Sequence, residues 1–146
     1  MRLRPVRAVG LAGLLAGVLD ITAAFAYSGL RGGTPAGVLR FVASGLLGPS
    51  ANRGGAAIAA LGLALHFVIA LGAAVVYWAA SRKIAFLAAH PVPSGLIYGV
   101  AVYFFMNLVV IPLSAIPPRP FVPVPAMIVI HMLCVGLPIA VVLRRR

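Results

Sequence analysis

Apolar positions run through this chain in four long stretches, near residues 8–28, 55–80, 93–116 and 125–143, interrupted only by isolated polar side chains. A helix that crosses a bilayer needs roughly 20 mainly apolar residues, so each stretch predicts one spanning helix. The segment between the first two differs. Thr34 can cap a helix there, Pro35 suits its first position, and Gly48-Pro49 can end it. Val38, Phe41, Val42 and Leu46 recur between them at helical spacing. About 13 residues are too few to span. The pattern predicts a helix near 35–47 in the outer interface, with Arg40 reaching to headgroup level, serving as a connector or as a lid over an internal site. The expected architecture is all-α. It is a single integral membrane domain over residues 1–146, a four-helix transmembrane bundle with one short interfacial helix on the outer side.

Small and special residues refine this picture. Gly13 and Gly17 form a GxxxG pair in the first stretch, and Gly95 and Gly99 repeat it in the third. Helices in lipid lack a hydrophobic drive toward each other, so close backbone approach at such pairs supplies the packing. Both pairs fall toward the same end of the bundle, and a contact between the first and third helices is expected through them. Tyr77-Trp78 before Ser81-Arg82-Lys83 predicts an interfacial anchor. His90 belongs to a solvated loop, and Tyr98 and Tyr103 are expected to pack. Residues 117–125, PPRPFVPVP, predict a stiff extended strap. Lying on the outer side, it is out of reach of a cytoplasmic partner for polyproline motifs. Pro112 and Pro138 lie inside predicted helices, each freeing the carbonyl four residues back, at Leu108 and Cys134.

Composition removes a soluble reading. Of the 146 residues, 63% are hydrophobic and 9% charged, against about 25% charged in an ordinary soluble domain. The net charge of +11 does not indicate nucleic acid, because the basic residues flank the apolar runs instead of sharing a face. Arg2, Arg4, Arg7, Arg82, Lys83 and Arg144–Arg146 fall on one side, and Arg31, Arg40, Arg53 and Arg119 on the other. The positive-inside rule puts the richer side, with both termini, in the cytoplasm. The basic start and Ala24-Phe25-Ala26 also outline a signal peptide, but Asp20 interrupts the run near the supposed cleavage site, favouring a retained helix. Cys134 is the only cysteine, so no disulfide within the chain is expected. The expected partners are the lipid bilayer and, through the small-residue pairs, a second copy or another membrane protein.

The apolar stretches hold four side chains that are expensive or unusual in lipid, one in each: Asp20, His66, Asn107 and His131. Asp20 is the only acidic side chain of the protein, and a charge near a helix centre costs roughly 2.5–3.5 kcal/mol on insertion. Counted from the outer helix ends, all four lie roughly 9–17 Å deep at about 1.5 Å per residue. Such groups usually face the interior and find each other, so an Asp20–His66–Asn107–His131 cluster is expected. It could bind an ion or proton, since histidine titrates near neutral pH. It could hold a metal on Asp20, His66 and His131, with Cys134 as an extra ligand and Asn107 orienting. It could hold a haem between His66 and His131, with Gly62 and Gly136 leaving space. Or it could be hydrogen-bonding glue in a structural or accessory subunit. No nucleophile motif, phosphate loop or zinc-protease motif occurs, so a non-enzymatic role is expected.

The order His66, Tyr77 and a basic turn, GLIYG at 95–99, Asn107, PLS at 112–114, Pro117-Pro118, His131 and a basic end resembles the small bacterial inner-membrane proteins of the YagU-like kind. The resemblance covers residues 66–143. It departs at Asn107, where a histidine would be expected, and in the absence of further acidic residues. It implies a bacterial inner membrane and carries no catalytic residue over.

Overall fold

A computed structural model describes residues 4–144. Arg2, Arg145 and Arg146, counted above among the basic flanks, lie outside the described residues. Among the described residues, besides a short 3₁₀ turn, six helices occur in order: α1 Pro5–Leu30, α2 Pro35–Leu47, α3 Ala56–Lys83, α4 Ala85–Ala89, α5 Pro91–Leu113 and α6 Pro125–Leu143. The described residues contain no strand. Helices α1, α3, α5 and α6 are long and apolar enough to cross a membrane. They alternate in direction, so both ends of the described chain lie at one end of the bundle and α2 at the other.

Local chemistry sets the boundaries. Thr34 accepts a hydrogen bond from the Gly37 N–H at 3.0 Å, capping α2. Pro35 is its first helical residue, and Gly48, at φ 80°, ends it in a conformation that favours glycine. A short 3₁₀ turn, Pro49–Arg53, leads into α3. Helix α3 runs on through Arg82 and Lys83, beyond the apolar stretch, because cations in the last turn complement the helix dipole.

Packing follows residue size. Leu11, Leu14, Leu15, Val18 and Leu19 of α1 are exposed while Ala12, Gly13, Ala16 and Gly17 are buried. The same inversion, small inside and large outside, is expected of helices that pack by close approach. Ala12, Ala16, Ala74, Tyr77, Val135, Ile139 and Ala140 form the core from α1, α3 and α6, in the half of the bundle nearer the termini.

The glycine pairs find partners other than those expected. A Cβ on Gly13 or Gly17 would run into Leu71, Phe67 and Ala70 of α3, and one on Gly95 or Gly99 into Gly136, Leu137, Ala140, His131 and Met132 of α6. The two motifs therefore do not pair α1 with α5. Each faces the next spanning helix in the sequence's antiparallel order. Gly136 in turn seats directly on the backbone of Gly95 and Gly99, and Gly62 on the backbone of Leu39 in α2.

Two smaller expectations also change. Tyr77 is fully buried, its hydroxyl donating to Leu87 O at 2.9 Å. It is a core residue instead of an anchor. Adjacent helical residues point in different directions, so Trp78 alone is left beside the Arg82 guanidinium, 5.3 Å from its ring. Arg40 folds back: its Nη1 donates to Gly54 O at 3.0 Å, tying α2 to the approach to α3. His90 is exposed, as a solvated residue should be, with its ring 4.7 Å from that of Phe86.

Candidate functional site

Helix α1 packs on α3 and α6, α5 on α6, and α2 on α3, whereas α3 and α5 have little direct packing. They are bridged toward the terminal end by Tyr98, whose hydroxyl donates to Ala73 O at 2.7 Å and whose ring meets Tyr77 at 5.0 Å. Above that bridge the bundle is hollow. A cavity of about 340 Å³ lies there, floored by Ala16, Ala73 and Val135 and closed on one side by Phe41, Val42, Gly45 and Leu46 of α2. Its wall is apolar except for Asp20, His66, His131 and Ser114. Three of the four polar residues singled out in the sequence thus line one space, from three different helices.

Their hydrogen bonds differ in kind. His66 Nε2 lies 2.9 Å from Gly17 O. A carbonyl can only accept, so that nitrogen carries the proton and ties α3 to α1 at their closest approach. His131 Nδ1 lies 2.8 Å from Met127 O in its own helix and therefore also donates. The His131 ring stands edge-on to Tyr103 at 5.4 Å. The Ser114 hydroxyl is committed twice, donating to Ile111 O at 2.7 Å and accepting from Ile116 N at 3.2 Å. Asp20 is the exception: its Oδ1 is buried and has no hydrogen-bond partner. A carboxylate oxygen in such surroundings is destabilised unless a donor or a cation meets it.

Asn107 does not join this wall. Its Nδ2 donates to Tyr103 O at 2.9 Å, and it lines a second cavity of about 690 Å³ under the proline strap. The neighbouring Met106 takes the place in the first cavity, because consecutive residues on a helix point apart. His131, Met106 and Phe41 line both spaces, which therefore adjoin. Cys134 lines neither. It lies in a π-helical segment, His131–Gly136, where three residues fall well short of a turn, so it does not share the face of His131.

A second π segment, Met106–Val110, interrupts α5. Sequence reading did not foresee either one, although both end two residues before a proline, at Pro112 and Pro138. The N–H of Ile111 donates five residues back to Met106 O, and that of Leu137 to Met132 O. The next donor in that register would be the proline, which has no N–H. Asn107 and Leu133 carbonyls therefore lose both their four-back and five-back donors, so the break starts one residue earlier than Leu108 and Cys134. Such π segments recur at functional sites, and here they carry Asn107 and His131.

The three-ligand metal geometry expected from the sequence is not assembled. Among the described residues, no group of three or more His, Cys, Asp or Glu side chains is placed to hold a metal ion. The room expected beside Gly62 and Gly136 is filled by the backbones of Leu39 and of Gly95 and Gly99.

These features define an all-helical protein with four helices apt to cross a membrane, enclosing a small apolar cavity that bears one carboxylate and two imidazoles. No family model, curated protein or solved structure matches the chain.

Proposed function

We propose that the chain is a multi-pass protein of the bacterial inner membrane, both termini cytoplasmic, whose cavity binds and releases a cation or proton at Asp20. The observation that carries this reading is the unpartnered Asp20 oxygen in a space also lined by His66 and His131. Ionisable groups inside membrane bundles usually mark ion or proton pathways, and the YagU-like resemblance and the excess of basic residues at the terminal end support the location. The interfacial position of α2 belongs to the same proposal, with α2 as the cover of the site. Because Asp20 is the only acidic side chain, its infrared carboxylate band can be isolated by subtracting the spectrum of Asp20→Asn. A band that titrates with bulk pH and shifts on adding sodium or an organic cation is the expected result. A band that responds to none of them would defeat the proposal.

The second reading is structural. The bond from His66 to Gly17 O is the kind of interhelical glue that holds membrane helices together, and under it the chain is an accessory subunit. This reading accounts for His66 but leaves the Asp20 oxygen unexplained.

A further inference from the structure

Resting on the cation-binding reading above, we infer that the occupant of the Asp20 cavity is a small protonated primary amine with a hydrocarbon body.

The donor and acceptor inventory of the wall leads there. A bare inorganic cation such as magnesium or calcium takes about six or more oxygen ligands. The wall offers one free carboxylate, because the Ser114 hydroxyl is already used twice and both histidines have spent their N–H groups on backbone carbonyls. The unpartnered oxygen of Asp20 is therefore the acceptor that the wall leaves open, since the Ser114 hydroxyl and an N–H of each imidazole are engaged. A primary ammonium carries three N–H donors and one positive charge. Its charge and N–H groups suit the Asp20 oxygen, whereas an anion or a hydrogen-bond acceptor would find nothing to bind.

The remainder of the wall fits the other end of such a molecule. Leu65, Ile69, Val102, Met106 and Val110 surround the space, which a hydrated ion would avoid and a hydrocarbon chain would fill. The cavity volume, about 340 Å³, falls at the lower end of the roughly 300–1,000 Å³ of small-molecule sites. The cavity lies between the two spanning helices with little direct packing, so an apolar molecule can reach it sideways. The chain places its only acidic side chain here.

The test is calorimetric titration of the purified full chain in nanodiscs with phenylbutylamine, phenylbutanol and sodium chloride. The amine is expected to bind saturably, with the alcohol of equal hydrocarbon content about tenfold weaker, as the loss of one charged hydrogen-bonded contact predicts. Asp20→Asn is expected to reduce the amine to the affinity of the alcohol. Equal binding of amine and alcohol to the native chain overturns the inference without any variant, so misfolding of Asp20→Asn would not protect it. If the Asp20 infrared band answers to pH and sodium while the amine has no advantage, the amine assignment alone falls. If the band answers to nothing, the cation-binding reading falls with it.

Discussion

Gly136 of α6 rests so closely on Gly95 of α5 that a Cβ at 136 would collide with the Gly95 carbonyl oxygen. Gly99 takes part in the same contact. The obstacle is backbone on both sides and cannot rotate away. Gly136→Ala is therefore expected to lower stability by about 1–3 kcal/mol, the usual effect of overpacking. Thermal unfolding in detergent measures it, and an unchanged midpoint would show that the two helices are not in contact there.

The two ionisable residues on the α1–α3 side should respond oppositely. His66→Ala removes the bond to Gly17 O and is expected to cost about 1–2 kcal/mol. Asp20→Asn removes a charge whose buried oxygen has no partner, and should leave stability unchanged or raise it by up to about 1 kcal/mol. Denaturation of both variants beside the native chain decides the matter. Equal destabilisation by both would assign Asp20 to structural glue.

Besides the packing of Phe121 and Arg119, the proline strap is held by a hydrogen bond to a side chain of the bundle. Tyr103 is buried, and its hydroxyl accepts the Val124 N–H at 2.9 Å, immediately before α6 begins. Tyr103→Phe should cost about 0.5–1.5 kcal/mol and expose that amide. Hydrogen exchange at Val124 should accelerate while exchange at the Ala12–Ala16 core stays slow.

Stoichiometric zinc binding is not expected, since the donor side chains of the described residues do not converge in threes and Cys134 lies on neither cavity wall. Metal analysis after zinc loading and washing should give the same low occupancy for native protein and His131→Ala. A tight equivalent of zinc lost in the variant would contradict the arrangement of α6.

A lid function for α2 has its own signature. Gly62 admits the Leu39 backbone, and the Ala115 N–H donates to Gly45 O at 2.9 Å, so α2 is held from both sides of the cavity. Gly62→Ala should displace α2 without unfolding the bundle. The expected readout is faster labelling by a small thiol reagent of a cysteine placed at Val42, with helix content by circular dichroism unchanged.

The order of apolar runs, the caps at Thr34 and Gly48 and the lone acidic residue are local properties, and they sufficed to derive the four long apolar helices and the short α2 and to single out Asp20, His66 and His131, which line one cavity. Length and hydropathy act residue by residue along the chain, so the sequence alone carries them. Helix neighbours were another matter. A GxxxG pair announces a close contact but not its partner, which is why Gly13 and Gly95 were matched to each other when they face Leu71 and Leu137. Facing was equally hidden. Each of the two π segments rotates the helix beyond it. That rotation, set by the prolines together with the packing around them, turns Asn107 and Cys134 off the wall that carries the carboxylate. The sequence thus determined which costly groups stand within the apolar stretches. Only the packed bundle decided which of them share a cavity, because side-chain direction depends on helix register and on the neighbour each face meets.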